Sequence, residues 1–306
     1  MADKTFNELK KNLPGIQKQV LLKNYTTFKI GGPAKWFFPV KSKEDLILAF
    51  KTAKLFKVPF FILGGGSNVL VSDKGFPGLV IKIQDTRYKI KCNKVFAGAG
   101  MDLARLIRLT ANAGLSGLEW AAGIPNITVG GAIFGHAQAF GQKMSDTVQS
   151  VEAIDLKTLK LKIFSKKECR FSLKNSIFKQ SKNFIIVSAV LHLNKKSSDT
   201  IKKQIKKNRA FRKTCHPMGF PSAGSTFVNP EVSTPAGYLI AKCGLAGKKI
   251  GKAQISEKHC NFIVNLGGAK AKDVLALIKL AKQRVKKTFN IKLEEEVQMV
   301  GFNKKL

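Results

Sequence analysis

No apolar run in this sequence approaches the ~20 residues needed to cross a bilayer. Nor does Met1-Ala2-Asp3-Lys4-Thr5-Phe6 carry an apolar signal core with a cleavage site. A soluble, cytoplasmic chain with no membrane insertion is the expectation. Cysteine is sparse: Cys92, Cys169, Cys215, Cys243 and Cys260 are five, widely spaced, with no Cys-x-x-Cys. That argues against a disulfide framework or a structural zinc site and for buried free thiols. The four histidines, His136, His192, His216 and His259, show no metal spacing, so no metal is expected. His192 lies in an apolar strand and reads as structural, while His216 and His259 read as loop residues. Acid is the scarcest resource, with 19 Asp and Glu against 54 Lys and Arg and a net charge of +35.

Such a charge suits phosphate neutralisation. The lysines, however, spread from Lys4 to Lys305, denser only at Lys202–Lys213 and Lys279–Lys287, with no aromatic-interleaved motif. The reading is a lysine-rich surface and an anionic small-molecule ligand, with no specific nucleic-acid partner. What is present is ordinary globular composition, 44% hydrophobic over 306 residues, enough for two or three subdomains.

The chain is organised around Leu63-Gly64-Gly65-Gly66-Ser67-Asn68-Val69-Leu70-Val71-Ser72-Asp73. Apolar runs flank three glycines, so strand, glycine turn, strand is predicted. Glycines let backbone N–H groups approach an anion, and Ser67 and Asn68 add side-chain donors. A phosphate cradle and a tight turn that simply needs glycine both fit. No Gly-Lys-Ser/Thr follows, which excludes a Walker loop, and the strand after Asn68 does not fit a Rossmann turn. Around it the periodicity predicts helices over Glu44–Phe56, Leu103–Ala113, Ser197–Lys213, Ala236–Cys243 and Ala271–Phe289. Strands are expected at Trp36–Val40, Gly78–Ile83, Val148–Leu156, Phe184–Leu193, Asn261–Asn265 and Leu293–Gly301. A second small-residue block, Gly117–Ala132 continuing through Gly141, fits a backbone passing close to something flat or charged.

Chemistry-bearing residues are few. Ser225, between Gly224 and Thr226, is not in a Gly-x-Ser-x-Gly elbow, and an ST-turn is its plain reading. Glu294, Glu295 and Glu296 form the one acidic triplet; on a strand Glu294 and Glu296 share a face. An inward carboxylate there suits acid/base work, and a solvated edge fits equally.

Six motifs in order resemble one family: Thr27–Ala34, Gly64–Leu70, Gly117–Pro125, Ala223–Pro230, Ile255–Asn265 and the Leu-Glu-x-Glu-Val ending at Val297. The chain is similar, from Asn24 to Gly301, to the UDP-N-acetylenolpyruvoylglucosamine reductase family. The resemblance implies an α+β, three-domain flavoprotein. Two FAD-binding domains of the vanillyl-alcohol-oxidase/PCMH type would be joined by a substrate-binding domain. The expected divisions are 1–84 (with the C-terminal strand 291–306), 85–196 and 197–290. It also implies FAD as cofactor, NADPH as reductant and UDP-N-acetylglucosamine-enolpyruvate as substrate, in a monomer of the shorter, type II branch that serves peptidoglycan precursor synthesis.

By position, the resemblance makes Ser225 the proton donor to the enol carbon and Glu296 the supporting carboxylate. Gly64, Gly65, Gly66, Ser67, Asn68, Gly123, Ile124, Pro125, Thr128, Gly130 and Gly131 would hold FAD. Arg212, Phe227, Asn229 and His259 would hold substrate, with His216 where glutamine is usual. Lys174 stands where the family carries the arginine that polarises the substrate carboxylate; it keeps the charge and loses the bidentate fork. Arg170 is the alternative cation. Asn126-Ile127-Thr128 carries one residue more than usual, and His136-Ala137-Gln138 replaces a common Asn-Ala-Gly. A competing expectation is a polyanion or nucleic-acid binder on a decayed flavoprotein scaffold.

Overall fold

The computed structural model describes residues 2–181, 183–231 and 234–302. The architecture is α+β. Among the described residues the chain divides into two compact units, both discontinuous in sequence. The first gathers Met1–Lys18, Trp36–Gly65 and Gly78–Ala210; the second gathers Gln19–Lys35, Gly66–Pro77 and Phe211–Leu306. No described helix is long and apolar enough to cross a membrane.

In the first unit the helix Lys43–Leu55 starts at a capping box. Asp45 N–H donates to Ser42 Oγ at 3.0 Å and Ser42 N–H to Asp45 Oδ2 at 3.2 Å, satisfying two end donors at once. Leu46, Ala49, Phe50 and Ala53 form its buried stripe. The helix Leu103–Asn112 is capped by Asp102, whose carboxylate accepts from Arg105 N–H at 2.8 Å. A sheet runs in the order Gln17–Leu21, Pro33–Val40, Phe76–Ile83, Phe60–Leu63. Its last pair is parallel, from Phe60↔Leu79 to Leu63↔Lys82, which brings the glycine turn to the strand end beside Lys82. A five-stranded antiparallel sheet orders Leu161–Ser165, Val148–Asp155, Phe184–His192, Lys94–Gly98 and Tyr88–Lys91. Its strands Val148–Asp155 and Phe184–His192 carry Val151, Ile154, Val187 and Leu191 into the core.

The second unit has its own core, built on Phe28, Phe227, Leu239, Ile263 and Leu277. An antiparallel sheet orders Ser222–Ser225, Phe262–Asn265, Ala253–Ile255 and Lys249–Ile250. The helix Ala271–Phe289 buries Val274, Leu277, Ile278, Ala281 and Val285, a 3.6-residue stripe. It ends at Asn290, left-handed at φ 57°.

Four expectations change. The segment from Leu293 to Gly301 is extended, yet only Gln298–Val300 joins a ladder, parallel to Val69–Val71, with an isolated bridge at Glu295. The second small-residue block contains a short helix, Val129–Phe134, because Thr128 caps it through Gly131 N–H at 3.2 Å. His192 sits at a strand end, exposed, with Nε2 3.1 Å from Asn93 Nδ2, so it is not a core histidine. Of the cysteines only Cys169 and Cys260 are buried; all five are free thiols, and Cys92 is exposed. Burial pushes Cys169 up to about 12, so this thiol stays protonated and inert. The expected C-terminal strand 291–306 extends partly beyond the described residues.

Candidate active site

The first unit holds one half of the residues singled out. Gly64 and Gly65 end the strand Phe60–Leu63 and face the bend Asn126–Thr128. A Cβ on Gly65 would stand 1.5 Å from Asn126 O, and one on Gly64 2.9 Å from Thr128 Oγ1. A Cβ on Gly130 would stand 2.8 Å from Ala99 Cβ. Glycine is therefore required here for the close approach of two backbone segments. Gly123 turns the chain at φ 86°, Ile124 beyond it is half-buried and Pro125 is exposed. Thr128, buried, is spent on capping Gly131.

Behind the turn the Lys82 ammonium donates to Gly64 O, and burial holds it below its usual value. A cavity of about 540 Å³ opens beside it, lined by Lys41, Lys82, Gln84, Thr86, Arg87 and Gly100 among others. Arg87 there is held bidentately by Asp85, at 2.7 and 2.9 Å, a pairing that raises its own affinity for protons. The cavity wall thus offers ammonium, guanidinium, amide and hydroxyl groups together with the Asp85 carboxylate.

Lys174 sits elsewhere in this unit, half-buried, on a two-residue turn closed by reciprocal Ser172–Asn175 main-chain bonds of 3.1 Å. Its φ is 54°. Arg170, the alternative cation, is exposed at φ 45°.

The second unit ties the remaining motifs together by main-chain bonds. Thr27 N–H donates to Gly66 O at 3.0 Å and its hydroxyl to Ser222 O at 2.7 Å, joining the glycine turn to the strand that ends in Ser225. Asn265 Nδ2 donates to Phe28 O at 3.0 Å. Asn261 clamps Phe227, accepting from its N–H at 2.9 Å and donating to its carbonyl at 2.8 Å. Glu296 N–H donates to Thr226 O at 2.8 Å, and Asn68 Nδ2 donates to Glu296 O at 3.1 Å. Glu296 is thus held against the residue that follows Ser225, and both Ser225 and Glu296 stay half-buried. Glu295 instead pairs with Lys282 at 2.6 Å, and Glu294 is exposed.

Five separated motifs converge on one small piece of backbone here. Residues 34–158 match the family model described as FAD binding domain. Residues 216–300 match the model described as UDP-N-acetylenolpyruvoylglucosamine reductase, C-terminal domain. The reductase of that name from Caldanaerobacter subterraneus subsp. tengcongensis is 41% identical over 281 residues, 92% of each chain. That from Agathobacter rectalis is 40% identical over 94% of each. The chain belongs to the UDP-N-acetylenolpyruvoylglucosamine reductase family. The crystal structure of the Thermus caldophilus member is 35% identical and covers 93% of this chain and 99% of its own, with a TM-score of 0.78.

Within this family's frame the other expected substrate residues also fall in the second unit. Arg212 is buried near the end of the helix Ser198–Cys215, and burial holds its guanidinium below the usual value. Its carbonyl accepts from His216 N–H at 2.8 Å. His216 lies 5.4 Å from His259 and stacks on Phe262 at 5.1 Å, ring centre to ring centre. Burial, then His259, Arg212 and Lys258, pull His216 down to about 4; burial also lowers His259. Both rings are neutral at physiological pH. Asn229 is exposed, and its Oδ1 accepts from Ala236 N–H at 3.1 Å. Phe227 is buried at an isolated bridge to Glu295.

Two residues had no role in the sequence reading: Lys82 behind Gly64, and Asn261 clamping Phe227. A lone lysine in the apolar run Val80-Ile81-Lys82-Ile83 was the available signal for the first.

Proposed function

We infer that this chain reduces the enolpyruvyl double bond of UDP-N-acetylglucosamine-enolpyruvate with NADPH, through FAD, giving UDP-N-acetylmuramate for peptidoglycan precursor synthesis. The observation that carries the reading is the bond from Glu296 N–H to the carbonyl of Thr226, the residue that follows Ser225, in a chain of this family. FAD, when bound, supplies the two-electron relay between NADPH and the double bond. The protein supplies binding, orientation and a proton.

Gly64, Gly65, Gly66, Ser67, Asn68, Gly123, Ile124, Pro125, Thr128, Gly130 and Gly131 are assigned to the cofactor. Glycine N–H groups and the Lys82 ammonium are the chemistry available for its phosphates. Asn68 has a double duty, since its carboxamide nitrogen also holds the Glu296 carbonyl. Ser225 Oγ is assigned as proton donor to the enol carbon, where a small, positioned hydroxyl suffices. Glu296 is assigned to stabilise the enol form and support proton delivery. Lys174 is assigned to polarise the substrate carboxylate, as a point charge rather than a fork. Arg212 and His259 belong to the substrate's phosphate end. The contact of Asn229 falls to its amide nitrogen, because its oxygen is engaged. A monomer in the cytoplasm completes the reading.

The relatives give no support to the polyanion-binding alternative; the basic surface accompanies the enzyme rather than replacing it. Purified protein should be yellow and should oxidise NADPH only when UDP-N-acetylglucosamine-enolpyruvate is present. Colourless protein after refolding with excess FAD would overturn the reading.

A further inference from the structure

The two-residue turn that carries Lys174 closes by two main-chain bonds between Ser172 and Asn175, both 3.1 Å, with Leu173 beside it 61% exposed. A lysine side chain adds four rotatable bonds of its own, so the place of its ammonium depends first on where the turn puts Cα. Directly beneath lies His136, 4% exposed and itself left-handed at φ 44°.

We propose that His136 is a positioning residue whose imidazole fixes the Ser172–Asn175 turn and so presents Lys174 to the substrate. The assignment rests on the role given to Lys174 above. Both ring nitrogens are used. Nδ1 donates to the Ser172 carbonyl, the first residue of the turn, and Nε2 accepts from Ser145 Oγ at 2.9 Å. That pattern fixes the neutral, Nδ1–H tautomer, and burial lowers the proton affinity of the ring in the same direction. The ring packs against Phe171 at 4.8 Å, ahead of the turn. On the far side Ser176 Oγ donates to Phe134 O at 2.8 Å, so the helix end that leads into His136 grips the turn from both flanks. Lys179 Nζ closes on the Lys174 carbonyl at 2.9 Å. The imidazole touches no substrate in this scheme and acts through the turn alone.

The test is a double-mutant cycle on the FAD-loaded enzyme, reading kcat, the KM for NADPH and flavin content. His136→Ala should lower kcat by about tenfold, the scale of coupling between contacting residues, with flavin content and the NADPH KM unchanged. Placed on Lys174→Ala, the same substitution should cost less than about threefold. His136→Asn should recover most of the loss, because asparagine tolerates positive φ and its amide N–H can reach Ser172 O. Ser145→Ala removes only the Nε2 partner and provides a milder second variant should His136→Ala fail to fold; it should lower kcat about threefold. Equal losses from His136→Ala with and without Lys174 would overturn the positioning role alone. Full turnover in Lys174→Ala would overturn the role of Lys174 and this proposal with it.

Discussion

Replacing Gly65 by alanine tests the cofactor half of the site most sharply. The added Cβ would stand 1.5 Å from Asn126 O and 2.7 Å from Asn126 C, both backbone atoms. No rotamer change relieves such an overlap; the two glycine segments must part by about 1.5–2 Å to restore ordinary contact. Overpacking of this kind costs typically 1–3 kcal/mol, and backbone against backbone belongs at about 3. If that strain falls on the paired segments that receive the cofactor, FAD affinity drops about 100-fold. The assay is the visible flavin absorbance per protein after gel filtration, followed by titration of apoprotein with FAD by flavin fluorescence. Two controls separate causes. At Gly135, φ −86°, a Cβ would meet Gly131 O at an ordinary 3.5 Å, so Gly135→Ala should keep its flavin. At Gly141 the space is open but φ is 74°, so Gly141→Ala isolates backbone strain, about 1–2 kcal/mol. Stoichiometric FAD in Gly65→Ala, with a Kd within threefold of wild type, would refute the cradle.

Ser225→Ala should leave flavin reduction by NADPH nearly intact while slowing reoxidation by substrate about 100-fold or more; stopped-flow traces in which both half-reactions slow equally would refute the proton-donor assignment. Lys174→Arg restores the bidentate fork and should raise turnover several-fold, whereas a fall would show that the turn is built for lysine. His216 should shape acid stability. Its folded value, about 4, lies below the 6.5 of an unfolded histidine, so its contribution is complete above about pH 6.5 and is lost as pH falls towards 4. The gap amounts to at most about 3 kcal/mol. Urea midpoints between pH 4 and 7 should fall more steeply in the wild type than in His216→Gln, and parallel curves would refute the assignment.

Much of the fold is visible in local pattern. Helices such as Lys43–Leu55 and Ala271–Phe289 carry both an apolar stripe and end signals, and local forces decide them. The short helix Val129–Phe134 escaped because glycines hide its propensity; Thr128 and close packing on Ala99 make it helical. The segment 293–297 reads as a strand by composition, but its partners are the loop residues Thr226 and Val228, so only a bridge forms. Composition cannot specify partners.

The same distinction explains the site. That Gly64–Asn68 mattered was legible, since three glycines between strands need a reason. Why Asn68 is asparagine was not, because its partner, the Glu296 carbonyl, lies 228 residues away. This bond gives the glycine turn a consequence beyond cofactor binding. The segment that carries Ser67 and Asn68 also fixes the main chain of the acid assigned to support proton delivery, while Thr27 links Gly66 to the strand of Ser225. Removing the carboxamide in Asn68→Ala would then disturb the Glu296 end of the chemistry even where FAD remains bound. A loop whose composition speaks only of phosphate therefore also ties down the main chain of Glu296 and the strand of Ser225, the residues proposed to handle the proton.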